Sequence, residues 1–292
     1  ADAVRASVFD PDEVQREIGV VLEEIHRSQD SPAHVISDAV FAEAYRVHPY
    51  RAPILGSEQS VSSITRERLV DFFRRWDAPA RFVVVAVGDF DAPALAGQVK
   101  AAFAGAEPSG ARQVRPAEPA QDAPRTVILT RPFERTSLDL SWVTTSLVHP
   151  DTPYLDLLAF VLGEGDSCRL VRRVKEREGL ADRIDASSYT PLGAVAREVE
   201  RLRSEPPRAD ELEKARANFL ASEHFERESV GGMAGKLGAF QVLAGDHRHE
   251  HRYMEAIRDA TPEDLLRVAR TYLAPERLTA GVLREEGSVP LA

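Results

Sequence analysis

The sequence predicts an α+β fold of two duplicated domains, each an antiparallel-rich sheet with helices packed on one face. Three observations lead to this prediction. A helix–strand unit occurs twice, its copies beginning at Thr65 and Thr261, 196 residues apart. A Pro-, Ala- and Gly-rich stretch separates the copies. In the second half, strand patterns precede a run of helical patterns, which favours α+β over a doubly wound parallel fold.

The two copies of the repeated unit align without a gap. The matched positions are Thr65/Thr261, Glu67/Glu263, Leu69/Leu265, Trp76/Tyr272, Ala78/Ala274, Pro79/Pro275, Arg81/Arg277 and Phe82/Leu278. In both copies a threonine stands at the helix N-cap, with an acidic residue in the first turn, where the helix dipole favours it. Each helix should end before Ala-Pro, and an apolar strand should follow, FVVVAV in one copy and LTAGVL in the other. This agreement indicates duplication.

The repeat sets the domain boundaries. Residues 1–108 form the C-terminal part of the first domain, 109–124 a linker, and 125–292 the second domain. If the copies are of similar length, the first domain should begin roughly a hundred residues before Ala1. Two strands are predicted at 125–130 and 137–143, the second with Leu138, Leu140 and Trp142 on one face. Helical patterns follow at 151–163, 167–178, 194–204, 209–229, 232–245 and 248–258.

Composition excludes several classes of function. The formal charge of −10 argues against a nucleic-acid partner and against an anionic membrane surface. No apolar run approaches the ~18 residues that span a bilayer. The single cysteine, Cys168, excludes an internal disulfide framework and a thiolate metal cluster, and is best interpreted as a buried, incidental thiol. We expect a soluble protein, and both cytoplasm and periplasm stay open.

Residues 10–27 form the helix candidate that carries chemistry. Asp10 can cap it and Pro11 suits its first turn. Glu17 and Glu24 are seven residues apart, so they lie two turns apart on one face, beside the apolar stripe. A partly buried carboxylate needs a partner, and a metal ion is one. From the spacing alone, two solvated acids on an amphipathic helix are the ordinary interpretation.

This helix and the text around it resemble one family of zinc peptidases. QREIGVVLEEI is similar to the helix that supplies the last zinc ligand in the insulinase/pitrilysin family, the inverzincins. HPYRAPILGSEQSVSSITRERLVDFFRRW and FVVVAVGDFD resemble the family's continuation. HPDTPYLDLLAFVLGEGDSCRLVRRVKEREGLA and TPEDLLRVARTYLAPERL resemble its second domain. The resemblance covers nearly the whole chain, and relatives include bacterial two-domain peptidases and the mitochondrial processing peptidase.

The resemblance implies a zinc endopeptidase whose two domains enclose a chamber for unstructured peptides. In this family two histidines of an H-x-x-E-H helix bind zinc, and its glutamate acts as base on the metal-bound water. Glu24 matches the third zinc ligand, and Glu17 matches the supporting acid one step earlier on the helix. The histidines and the base are expected before Ala1. The implied cofactor is one Zn²⁺ per active site, if those histidines exist. The implied partners are a peptide substrate and a related chain in a homo- or heterodimer.

Two positions depart from the family pattern. The arginine and tyrosine that help to bind substrate are Lys175 and Asp182 here. Lysine loses the bidentate fork of arginine, and aspartate cannot donate the hydrogen bond of a phenol. A gap relative to the family is also expected near 189–194. These departures fit the zinc-bearing chain of a heterodimer, and the alternative is a non-catalytic partner or scaffold subunit. An unrelated helical interaction protein is a remote third interpretation.

A second stretch, His247 to His251, also spells H-x-x-E-H. In isolation, histidines at i and i+4 of a helix could face one metal ion. The family needs a glutamate ligand roughly seventy residues further on. Only 41 residues follow His251. We therefore interpret this stretch as a solvated, charged helix end.

Overall fold

The computed structural model describes residues 4, 6–76, 82–105, 116–184, 186 and 194–285. Its first half is helical, with α1 (Pro11–Gln29), α2 (Pro32–Ala44), a 3₁₀ turn at Pro49–Arg51, α3 (Glu58–Ser62), α4 (Arg66–Trp76) and α5 (Ala92–Ala102). The second half opens with strands β1 (Arg125–Thr130) and β2 (Ser137–Trp142). It continues with α6 (Thr152–Gly163), a π-helix (Val171–Arg177), α7 (Ala194–Ser204), α8 (Ala209–Arg227), α9 (Val230–Leu243), α10 (His249–Asp259), α11 (Pro262–Tyr272), a 3₁₀ turn (Pro275–Arg277) and β3 (Leu278–Arg284).

The three strands form a mixed sheet in the order β1-β3-β2. The last strand of the chain is central because β1 pairs with it in parallel and β2 pairs with it antiparallel. The predicted strands 125–130 and 137–143 are therefore confirmed to within one residue. The sheet is mixed rather than antiparallel throughout.

Helix α2 of the first half covers one face of this sheet. Its Ile36 and Val40 form a buried cluster with Leu283 of β3, and Val127 of β1 packs against that cluster. We predicted helices on one face only. Successive residues of a strand point to opposite faces of the sheet. Trp142 of β2 lies on the face away from α2, where it packs against the large helical core. The added layer comes from the other half of the chain, a long-range contact that no local pattern encodes.

The closest approach of α2 to the sheet occurs at Gly281. A Cβ atom there would lie 2.3 Å from Val40 Cγ2 and 3.1 Å from Ile36 Cγ1. We expect Gly281→Ala to lower the free energy of unfolding by about 1–3 kcal/mol, since the extra methyl overpacks the interface. Urea denaturation measures this. Val40→Ala removes the opposing methyl group, so the double variant should lose less than the sum of the single variants; strict additivity would contradict the contact.

The main hydrophobic core lies among the helices of the second half. Its fully buried large side chains include Leu157, Leu170, Leu202, Ile257 and Leu265. The helices predicted in this half are confirmed with small boundary shifts, with one exception. The segment predicted as a helix over 167–178 contains a π-helix over Val171–Arg177, a wider winding that periodicity does not distinguish from an α-helix.

The two repeated helices are alike. Helices α4 and α11 both have 11 residues. The amide of Arg68 donates to Thr65 Oγ1 at 3.3 Å, and that of Asp264 donates to Thr261 Oγ1 at 3.2 Å, so both threonines cap as predicted. Duplication of whole domains stays a prediction.

The strand predicted after the first copy is not formed. Residues 82–87 have no regular secondary structure, and within the described part of the chain no strand pairs with them. Val83 and Val84 are 46% and 55% exposed. An apolar run becomes a strand only where another backbone satisfies its N–H and C=O groups. The Ala-Pro turn of this copy, within residues 77–81, lies outside the described residues.

Residues 116–124 of the predicted linker contain no helix or strand, and they are tied to the first half. The Glu118 carboxylate accepts three consecutive backbone N–H groups of residues 46–48, at 2.6, 3.0 and 2.9 Å. Burial raises the pKa of Glu118, but these amides outweigh it and leave the pKa below its ordinary value. Arg125 Nη1 donates to the carbonyls of residues 43 and 44, at 3.0 and 2.8 Å. The other linker residues, 109–115, and most of the expected gap, 189–193, lie outside the described residues.

None of the helices among the described residues combines the length and apolarity needed to cross a membrane.

Candidate metal centre

Helix α1 begins and ends where its sequence dictates. Asp10 Oδ1 accepts the backbone N–H groups of residues 12 and 13 at 3.0 and 3.2 Å, which fixes the N-terminus. Ile25 is the buried residue of the apolar stripe. His26 Nε2 lies 3.7 Å from Glu58 Oε2 of α3, on the opposite side of the helix from the candidate acids.

Glu17 and Glu24 are both exposed, and not partly buried as their position beside the apolar stripe suggested. Neither has a hydrogen-bond or ion-pair partner among the described residues. Seven residues correspond to roughly 10 Å along a helix axis. A zinc ion binds carboxylate oxygen at about 2 Å, so direct ligation by both acids would require the two side chains to converge along the helix. This spacing agrees with one ligand and one supporting acid.

An open groove of about 580 Å³ runs beside Glu17. Phe9, Ile18 and Leu69 are among the apolar residues that line it, and the acids Asp10 and Glu17 lie along it as well. Glu24 does not line this groove. The candidate ligand is therefore solvent-facing, while its predicted supporting acid stands beside an apolar depression.

A catalytic zinc ion needs three protein ligands and a water molecule. The described residues contain no group of three histidine, cysteine, aspartate or glutamate side chains that could hold a metal ion. His26 is turned away from Glu24 towards Glu58. The described residues do not by themselves form a zinc centre. Glu24, exposed and uncommitted, suits the role of a single carboxylate ligand.

Lys175 and Asp182 are also on the surface. Lys175 lies on the π-helix and is exposed. Asp182 pairs with Arg135 at 3.6 Å, and their side chains are 85% and 80% exposed. Among the described residues no hydrogen bond or ion pair joins either position to Glu17 or Glu24, so the structure does not gather the four predicted residues into one cluster.

The second H-x-x-E-H stretch does not form a metal site. Helix α10 begins at His249, so His247 and His251 are not one turn apart on one helix. Glu250 is bound by Arg227 at 2.6 Å, and His251 Nε2 lies 3.3 Å from Glu255. Its interpretation as a charged helix end agrees with these contacts.

Cys168 is buried, as predicted. Burial raises the pKa of its thiol, which disfavours the reactive thiolate.

Sequence reasoning missed a buried acid, Asp151. Its Oδ1 lies 2.7 Å from Arg267 Nη1, and its Oδ2 accepts the hydroxyl hydrogen of Tyr272 at 2.8 Å. Burial raises the pKa of Asp151, but these partners outweigh burial and hold the pKa below its usual value. In the sequence, the position of Asp151 just before Thr-Pro is typical of the start of a helix and gives no sign of a buried ion pair. Its partners lie more than a hundred residues away, so only the fold reveals them.

Comparison with known proteins finds both a matching family and similar chains. The family model described as insulinase (peptidase family M16) matches residues 1–58, and the one described as peptidase M16 inactive domain matches residues 63–195. A Mycobacterium tuberculosis protein named an uncharacterised zinc protease is 29% identical over 316 aligned residues, covering 99% of this chain and 71% of its own.

Two solved structures share the fold. A protease from Helicobacter pylori superimposes with a TM-score of 0.83 at 25% identity, over 94% of this chain and 72% of its own. A structure from Pseudomonas fluorescens, described as a peptidase M16 inactive domain, has a TM-score of 0.78 at 21% identity over 97% and 73%. The chain therefore belongs to the insulinase family of peptidases, M16.

Proposed function

We propose that this chain forms part of a zinc-dependent endopeptidase and supplies its carboxylate zinc ligand, Glu24. The observation that carries the proposal is the pair of exposed carboxylates on α1. Its outer face presents two carboxylates two turns apart, both without a partner among the described residues. Membership of a family with relatives named zinc proteases supports zinc as the metal.

In this proposal zinc, when bound, polarises the peptide carbonyl and activates water. Glu24 contributes one negatively charged oxygen ligand. The imidazole ligands and the general base come from outside the described residues. Glu17 orients an imidazole ligand by accepting the hydrogen of its other ring nitrogen, which fixes the tautomer that binds metal.

The substrate in this proposal is an unstructured peptide held between the two domains. Lys175 and Asp182 lack the hydrogen-bonding capacity of an arginine–tyrosine pair, and Asp182 is paired with Arg135. We therefore propose that a related chain completes the site in a heterodimer. Mixing with such a chain should raise kcat/KM for peptides; full activity of this chain alone would contradict the heterodimer and leave the zinc assignment intact.

The alternative is a non-catalytic subunit of the same family. It is favoured by the absence of a three-ligand metal group among the described residues and by the match to the model named inactive domain. The two functions differ in whether the intact gene product binds zinc.

The proposal is tested with the intact gene product, alone and mixed with its related chain, and a set of fluorogenic unstructured peptides. We expect hydrolysis that stops on removal of zinc by a chelator and returns with added Zn²⁺. Zinc binding with hydrolysis only in the mixture would support the heterodimer, whereas zinc binding without hydrolysis in either sample would contradict the peptidase assignment. Absence of zinc would select the non-catalytic subunit.

Glu17→Gln should weaken zinc binding and lower kcat/KM by about 10–100-fold, the usual effect of losing a residue that orients a metal ligand. Competition with a zinc indicator measures the affinity. Glu23→Gln is the matched control, because Glu23 is also an exposed acid of α1 but lies on another face. Equal effects of both substitutions would contradict a specific role for Glu17.

A further inference from the structure

A second groove lies in the other half of the molecule, between the C-terminal end of α8, Leu237 of α9, the segment 246–248 and α10. It has a volume of about 670 Å³. Its arginines are Arg227, Arg248, Arg252 and Arg258, and we call it the basic groove. Proteins bind small organic ligands in pockets of ~300–1,000 Å³, so this volume suits a small molecule.

The basic groove has the opposite charge to the chain as a whole. Four arginines and two acids, Asp246 and Glu250, line it, which gives 4 − 2 = +2 with neutral histidines, against −10 for the protein. Asp246 is held by Arg248 at 2.9 Å, and Glu250 by Arg227 at 2.6 Å. The acids are thus already paired and leave guanidinium donors for a ligand.

Two of the arginines, Arg252 and Arg258, keep exposed guanidinium donors for a ligand. Arg252 lies 4.0 Å from Asp246, beyond hydrogen-bond length, and Arg258 is exposed with no ion pair among the described residues. A guanidinium group presents five donors in a planar fork that fits phosphate oxygens in pairs.

One wall of the groove is apolar, formed by Leu237 and Met254. Inorganic phosphate would leave this wall unused. A phosphate monoester carries about −1.5 to −2 charges at pH 7, which matches the net +2 of the lining, and its organic part can cover the apolar wall. We propose that the basic groove binds a small organic phosphate monoester, with the phosphate on the arginines and the organic group against Leu237 and Met254.

Isothermal titration calorimetry on the intact gene product tests this site with three probes: adenosine 5′-monophosphate, inorganic phosphate and adenosine. We expect the monophosphate to bind more tightly than inorganic phosphate, adenosine to show no binding, and added salt to weaken the interaction. No binding of the monophosphate at millimolar concentration would overturn the proposal. Displacement of the monophosphate by lower concentrations of polyglutamate would replace the ligand class with an acidic peptide.

The paired variant Arg252→Ala/Arg258→Ala should raise Kd for the monophosphate at least about tenfold, since each charge-assisted hydrogen bond to phosphate is strong. Both side chains are exposed, so the melting temperature should change little. Arg74→Ala/Arg75→Ala, two exposed arginines of α4, removes the same charge elsewhere and should leave Kd unchanged. An equal loss in the control would show non-specific attraction and contradict the site. The site stands independently of the zinc assignment.

Discussion

Glu24→Gln in the intact gene product should lower zinc affinity and peptidase kcat/KM by more than about 100-fold. Substitution of residues that merely orient metal ligands costs 10–100-fold, so loss of a ligand should cost more. Glutamine keeps the shape of the side chain but lacks the negative charge of a carboxylate ligand. Fluorogenic peptide hydrolysis at fixed free zinc concentrations measures both quantities.

The fold should be unaffected because Glu24 is exposed and has no partner among the described residues. The melting temperature of the metal-free protein should therefore match that of the unsubstituted chain. Glu23→Gln, one residue away on another face, should retain zinc and activity. Wild-type kcat/KM in Glu24→Gln would contradict the ligand assignment and leave membership of the family untouched.

Asp151→Ala should lower the free energy of unfolding by about 1–3 kcal/mol, the usual cost of leaving a buried hydrogen-bonding group without its partner. Asp151 is only 9% exposed. Without it the hydroxyl of Tyr272 loses its acceptor inside the protein, and Arg267 loses its closest carboxylate. Asp182→Ala is the control, because its ion pair with Arg135 is exposed and should contribute almost nothing. A similar loss in both variants would contradict the buried network.

The effect of Asp151 should depend on pH with a definite sign. Its pKa in the folded protein lies below the ~3.9 of an unfolded chain. Its contribution to stability is therefore complete above the unfolded pKa and is lost as pH falls through the folded pKa. Urea unfolding of wild type and Asp151→Ala should differ by a constant amount from pH 7 to about 5, and the difference should shrink below about pH 4. A difference that grows on acidification would contradict the account.

Local patterns in the sequence predicted the elements well where the deciding interactions are local. Helix 10–27 is found at Pro11–Gln29, since Asp10 caps it as its side chain allows. Thr65 and Thr261 cap the repeated helices for the same reason. In β2 the alternation around Leu140 identified the face that is buried.

The wrong predictions concern elements whose structure depends on residues that are distant in the sequence. Residues 82–87 carry a strand pattern, but a strand forms only with a partner backbone, and none of the described residues pairs with them. The layer that α2 adds to the sheet depends on Gly281 leaving room for Val40, a pairing across 241 positions (281 − 40). Glu118 likewise ties the linker to residues 46–48 through backbone amides, whose positions no side-chain pattern encodes.

The candidate site was likewise predicted in part by local helix geometry and in part not. Spacing on one helix placed Glu17 and Glu24 on one face because helix geometry is regular, but both are exposed and not partly buried. The resemblance to the family, rather than the spacing, assigned them to zinc. The relation of α1 to Lys175 and Asp182 depends on long-range packing between the two halves of the chain, which sequence patterns do not describe.

The most direct test of zinc ligation by Glu24 is X-ray absorption at the zinc edge on the intact gene product, compared with Glu24→Gln. The account predicts a first shell of two imidazole nitrogens, one carboxylate oxygen and water in the wild type, and loss of the carboxylate oxygen in the variant. An identical zinc shell in both proteins would contradict it.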